Sequence, residues 1–216
     1  MAREIAIGVL GGMGVRATWA FCQALTDCIP FEKEWEHPRV VVDCATHIPS
    51  RSRHVLMGEA SPVPGMVDCI RGLGRAGAGF VVVPCNQAHA WYDEVCQQTG
   101  VPWLDIRGAV ARKIPDGARV MILGGPVTMA KRLYDSERYE AVYPDLILRE
   151  QVVRLIEEGK TNVGSCGCID GLLPSMDVDV VVVLACTELW SHDPRVINSL
   201  EVYAEAAYER YLSGGR

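Results

Sequence analysis

Two stretches decide the fold: Val81-Val82-Val83-Pro84-Cys85-Asn86-Gln87 and Val181-Val182-Val183-Leu184-Ala185-Cys186-Thr187-Glu188. Each opens on β-branched residues, which read as a strand buried on both faces of a parallel sheet. Each closes on a cysteine followed by a small polar residue suited to capping a helix. A thiol at such a junction is expected beside backbone N–H groups and the positive end of a helix dipole, which lower its pKa. One such thiol in each half of the chain suggests a paired proton donor and acceptor.

Outward from these stretches, strands and helices alternate. Strands are expected over Glu4–Leu10, Arg39–Ala45, Gly79–Pro84, Ala118–Leu123 and Val178–Ala185. Helices are expected over Ala17–Ile29, Gly65–Ala76, Ala90–Thr99, Thr128–Asp135, Asp145–Glu158 and Leu200–Leu212. Such alternation predicts an α/β fold with mostly parallel sheets flanked by helices, and ligands outside the carboxyl ends of the strands. Ile7-Gly8-Val9-Leu10-Gly11-Gly12-Met13 also resembles Val120-Met121-Ile122-Leu123-Gly124-Gly125-Pro126, and a cysteine strand end follows each some 60 to 75 positions later. The chain therefore reads as two similar lobes related by a pseudo-twofold duplication, with the site in the cleft between them. Residues 1–106 with 198–216 would form one lobe and 107–197 the other, with a hinge near Asp105–Gly108 and a second crossing near Asp193–Ser199.

The 216 residues leave ample chain for a substantial core. A net charge of −6 and the lack of a basic run argue against a nucleic-acid surface. No apolar stretch of about 18 residues is present to span a membrane. Met1-Ala2-Arg3-Glu4 leads into a strand without a signal-like apolar segment, so a cytoplasmic location is expected. The nine cysteines are odd in number, which disfavours a disulfide framework. Cys22, Cys28, Cys44, Cys69 and Cys96 read as small buried hydrophobes. Cys166-Gly-Cys168 lacks a second Cys/His pair at ligand spacing, so no metal is expected there.

Gly11-Gly12-Met13-Gly14 lets a ligand approach the backbone ahead of a helix N-terminus, a place for a carboxylate or phosphate. Gly12-x-Gly14-x-x-Ala17 meets a loose dinucleotide pattern, but Asp43 lies inside the second strand and not at its end. His89 follows Cys85 by four residues, so a Cys–His nucleophile pair is one reading and a packed or capping histidine the other. Cys186 has no histidine at that spacing. Two cysteines exchanging protons with an α-carbon account for both thiols better.

The chain resembles the aspartate/glutamate racemase superfamily, most nearly its aspartate racemases that use no pyridoxal phosphate. The matching segments are Ile7–Gly14 with Ala17-Thr18, Glu36-His37-Pro38, Ile48-Pro49-Ser50-Arg51, Pro84-Cys85-Asn86-x-Ala88-His89 and Cys186-Thr187-Glu188. The resemblance implies an isomerase without cofactor or metal. It would interconvert the enantiomers of aspartate or a close relative by thiol/thiolate transfer through Cys85 and Cys186. It implies that donors near Asn86 and Thr187 hold the α-carboxylate and that Arg51 and Lys160 recognise the side-chain carboxylate. Gly12, Met13, Gly14, Gln87, Thr128 and Glu188 complete the expected substrate-binding set. A homodimer whose only other partner is a small acidic amino acid or dicarboxylate is also implied.

The chain departs from the family at several places. Gln87 stands where threonine is usual, Gly125-Pro126-Val127 replaces hydroxyl residues at the second Gly turn, Asn198 replaces an aspartate, and Ala185 replaces a glycine. A maleate-type cis–trans isomerase and a ligand-binding member with altered activity are the alternatives those changes leave.

Overall fold

The structure is a computed structural model describing residues 5–161, 167–177 and 179–215. Its first sheet is built from β1 (Ala6–Gly11), β2 (Val40–Cys44) and β3 (Ala78–Val82), parallel, in the order β2-β1-β3. Between these strands run α1 (Val15–Asp27), α2 (Arg51–Met57) and α3 (Val63–Arg75). The central strand β1 is buried throughout, which is why its sequence is apolar with no alternation. On one face Val67, Ile70 and Leu73 of α3 pack with Leu10 and Val81. On the other, Phe21 and Leu25 of α1 pack with Ile7, Val9 and Phe80.

After β3 come α4 (Tyr92–Thr99) and α5 (Ile106–Ala111), and then the second sheet. This part of the chain runs through β4 (Arg119–Gly124), α6 (Pro126–Ala130), β5 (Glu140–Val142), α7 (Leu146–Thr161), β6 (Gly167–Cys168), β7 (Val181–Ala185), β8 (Leu189–Trp190) and β9 (Val196–Asn198). The order of the second sheet is β5-β4-β7-β9, again parallel, with β6 and β8 as a separate parallel pair. In both sheets the first strand in sequence lies between the second and the third. Val152 and Ile156 of α7 cover one face with Leu123 and Leu184, and Val110, Ile114 and Tyr134 cover the other. The last helix, α8 (Ser199–Leu212), is capped by Asn198, whose side chain accepts from Leu200 N at 3.0 Å. It returns to the first sheet, where Tyr203, Ala204 and Ala207 join Phe21 and Phe80.

Several expectations need correction. The helix expected over Thr128–Asp135 stops at Ala130, because Arg132 takes a positive φ of 48°. Cys186 is followed not by a helix but by a tight turn into β8, because the chain pairs with β6 at once. Behind Cys85 the backbone first makes a 3₁₀ turn over Asn86–Trp91 before α4 begins. Of the five cysteines expected to be buried, only Cys69 is, while Cys22, Cys28, Cys44 and Cys96 are half-buried. Cys44, for one, lies on β2, an edge strand of its sheet among the described residues. Glu4 and Val178, where two strands were expected to start, and Cys166 lie outside the described residues.

Candidate active site

Because the strands of each sheet are parallel, their carboxyl ends collect the loops that carry polar residues. The first cysteine loop leaves β3 through Val83, whose N–H donates to the Tyr203 hydroxyl at 3.0 Å, and that hydroxyl donates to Leu104 O. His89 is wholly buried among Tyr92, Trp103 and Tyr203. Its Nδ1 lies 3.0 Å from Cys85 O, and its Nε2 accepts Ile106 N at 3.2 Å. Burial pushes its pKa down to about 4, so it is neutral with the proton on Nδ1. With both nitrogens committed to the backbone, it fixes the Cys85 loop onto the start of α5. Of the two readings of His89, the geometry takes the packed one.

The second cysteine has different surroundings. Cys186 is buried, and its thiol donates to Glu188 Oε2 at 3.0 Å. Burial first, and then the Glu188 carboxylate, push its pKa well above the usual thiol value. This overturns the expectation of a dipole-lowered thiol at Cys186. No helix follows, and the nearest strong charge is negative. The Thr187 hydroxyl lies 3.1 Å from Pro84 O and 3.5 Å from Glu188 Oε2. The residue after one cysteine therefore touches the residue before the other. Bonded geometry then limits the separation of the two cysteine Cα atoms to about 12 Å.

Next to these loops lies the Gly turn. Gly12 has φ +84°, where any side chain would be strained, and a Cβ there would meet the Ala45 backbone at 2.5 Å. Thr18, in the first turn of α1, locks it: Gly12 N donates to Thr18 Oγ1 at 2.9 Å, and that hydroxyl donates to Gly14 O at 2.7 Å. Arg51 heads α2, where Ser50 accepts from Arg53 N. Its guanidinium donates to Met13 O and to Pro49 O. Lys160, near the end of α7, pairs with Glu157 at 2.8 Å. Burial opposes its charge, but Glu157, Cys186 and Glu188 outweigh burial and raise its pKa, so it is an ammonium. Gly12, Met13, Gly14, Arg51 and Lys160 line a hollow of about 490 Å³. Gly14, Lys160 and Glu188 line an adjoining one of about 320 Å³. Both lie in the range of roughly 300–1,000 Å³ common for small-molecule sites.

The structure thus gathers Gly12, Met13, Gly14, Arg51, Lys160 and Glu188 around two adjoining hollows, with Cys186 bonded to Glu188. Cys85 is buried and does not line either hollow. Of three further expected substrate donors, two are engaged elsewhere. Asn86 donates to Ser199 Oγ at 3.0 Å and accepts from the Tyr134 hydroxyl, so its amide is a strut between α8 and the turn that follows α6. Gln87 Oε1 accepts from Ser52 and from Val127 N. Thr128 is fully buried, and its hydroxyl has no partner among the described residues. Sequence reasoning missed Ser52, Tyr134, Ser199 and Tyr203. Only Ser199 had a signal, as the residue after Asn198 at the edge of α8.

Parallel α/β sheets with a thiol at the carboxyl edge of each define the class of protein. The chain belongs to the Asp/Glu/hydantoin racemase family, whose profile matches residues 10–204. It is similar in structure to the aspartate racemase of Picrophilus torridus, with a TM-score of 0.83 at 25% identity over 96% of this chain and 94% of that one. An aspartate racemase homologue from Pyrococcus horikoshii OT3 shares the fold, with a TM-score of 0.71 at 21% identity over 96% and 99% of the two chains. In sequence the chain is 29% identical over 136 residues to the broad specificity amino-acid racemase RacX of Bacillus subtilis (strain 168). That match takes in 59% of this chain and spans only 58% of the relative's length. Among the described residues no helix is long and apolar enough to cross a membrane.

Proposed function

We propose that the protein racemises or epimerises an acidic amino acid, aspartate being the first to test, by proton transfer between two cysteines and the α-carbon. The observation that carries this reading is the contact of the Thr187 hydroxyl with Pro84 O, which brings the two cysteine loops side by side next to a hollow bearing Arg51 and Lys160. In one direction the Cys85 thiolate takes the α-proton, and the electron pair passes into the substrate carboxylate as an enolate. The Cys186 thiol, held protonated beside Glu188, delivers its own proton to the opposite face. The product leaves Cys85 as thiol and Cys186 as thiolate, and the reverse direction restores them. Lys160 offsets the charge then shared by Cys186 and Glu188. Arg51, anchored on the Gly turn by Met13 O, presents a fixed cation to a substrate carboxylate. Each step draws on two sulfurs and calls for no cofactor.

The test is incubation of D- and L-aspartate, D- and L-glutamate and a panel of other amino acids in D2O. Deuterium at the α-carbon together with loss of optical purity is the expected result for at least one acidic substrate. Absence of exchange with every member of the panel overturns the reading. Loss of maleate absorbance without α-exchange would replace it with cis–trans isomerisation.

A further inference from the structure

The Gln87 side chain joins three elements through one oxygen. Oε1 accepts Val127 N of α6 at 3.0 Å and the Ser52 hydroxyl of α2 at 3.0 Å. The amide lies against Gly125, where an added Cβ would come within 2.7 Å of its Cδ and Nε2. Gly125 has φ −71° and ψ 168°, a conformation open to any residue. Glycine is there for room and not for backbone freedom. Ser52 adjoins Arg51 in sequence, and Gln87 stands two residues past Cys85. One buried oxygen therefore ties together the helix of the arginine, the loop of a cysteine and the first turn after β4. A threonine in this place would carry its oxygen two carbons nearer the backbone and would reach neither donor.

We propose that Gln87 is a positioning residue, a clasp that fixes Arg51 relative to Cys85 and holds α6 against both. Without its oxygen a buried N–H and a hydroxyl lose their acceptor together, which favours separation of the three elements. The kinetic consequence rests on the racemase reading; the accessibility of Cys85 does not.

Four variants of the full chain test the clasp. Gln87→Met keeps the length and removes the acceptor, while Gln87→Glu keeps an acceptor. Gly125→Ala evicts the amide without altering Gln87, and Ser52→Ala removes one of the two donors. The first readout is the rate of iodoacetamide labelling of each cysteine, followed by peptide mass mapping, with buried Cys69 as the internal reference. Gln87→Met and Gly125→Ala should label Cys85 about tenfold faster, with Cys69 unchanged and Gln87→Glu close to the parent. In racemisation assays both should raise KM about tenfold with a smaller fall in kcat. Adding Ser52→Ala to Gln87→Met should change little further. Cys85 labelling at the parental rate in Gln87→Met and Gly125→Ala overturns the clasp, as does equal acceleration at Cys69. If the parent racemises nothing, the racemase reading falls and the labelling still decides the role of Gln87.

Discussion

The two cysteine loops begin alike and end unlike. Both follow a valine-rich strand of a parallel sheet, and both cross toward the other sheet by their second residue. Gln87 lies against Gly125, and Glu188 Oε1 lies so near Gly14 that a Cβ there would meet it at 2.2 Å. Yet the first loop is neutral and tied down by His89 and Tyr203, whereas the second sets a carboxylate 3.0 Å from its own thiol. Similar strand ends thus give two sulfurs with different electrostatics. In the proposed reaction Cys186 is the sulfur that rests protonated.

The hardest test of this contrast is removal of either sulfur. Cys85→Ser and Cys186→Ser should each lower the racemisation rate about 10³-fold or more. Each should still permit different residual exchange from the two enantiomers in D2O, and equal residues from both would erase the contrast. Next in size is the titration of His89. Its folded pKa lies below the unfolded value, so the unfolded chain binds the proton first. The associated stability is complete above pH about 6.5 and is lost as pH falls toward about 4. That loss is about 3 kcal/mol. In urea titrations at stepped pH, His89→Gln should show a flatter acid slope than the parent. Tyr203→Phe strips the donor to Leu104 O and the acceptor of Val83 N, and should cost about 1–2 kcal/mol by denaturant melting. The smallest effect is electrostatic. Glu188→Gln removes a group that raises the Cys186 pKa, so the alkaline fall of the pH–rate profile should move to lower pH. An unmoved limb would show that Glu188 does not set the proton on Cys186.

Much of the fold could be read before any coordinates. Continuous apolar runs such as 6–10 and 181–185 suit only strands covered on both faces, and the Gly–Gly turns marked where two of them end. Short elements escaped: β9 and β6 have three and two residues, too few for a period to show. The positions of the Gly turn and of both cysteines at strand ends were legible because their motifs are local, whereas Arg51 and Lys160 came from the family resemblance. The engagements of Asn86 and Gln87 were not legible, since their partners lie 113 and 40 residues away, and no spacing rule connects them. The raised pKa of Cys186 escaped for a related reason. The sequence placed Glu188 two residues on, but only the tight turn aims its carboxylate back at the sulfur.

The Tyr203 hydroxyl also has a temporal consequence. A chain made from its N-terminus completes β1, β2 and β3 long before α8 leaves the ribosome. Until then the end of β3 lacks the acceptor for Val83 N, and the face occupied by Phe21 and Phe80 stays partly bare. The nascent protein therefore carries an unfinished first sheet through the whole synthesis of the second, and only the final fourteen-residue helix seals it.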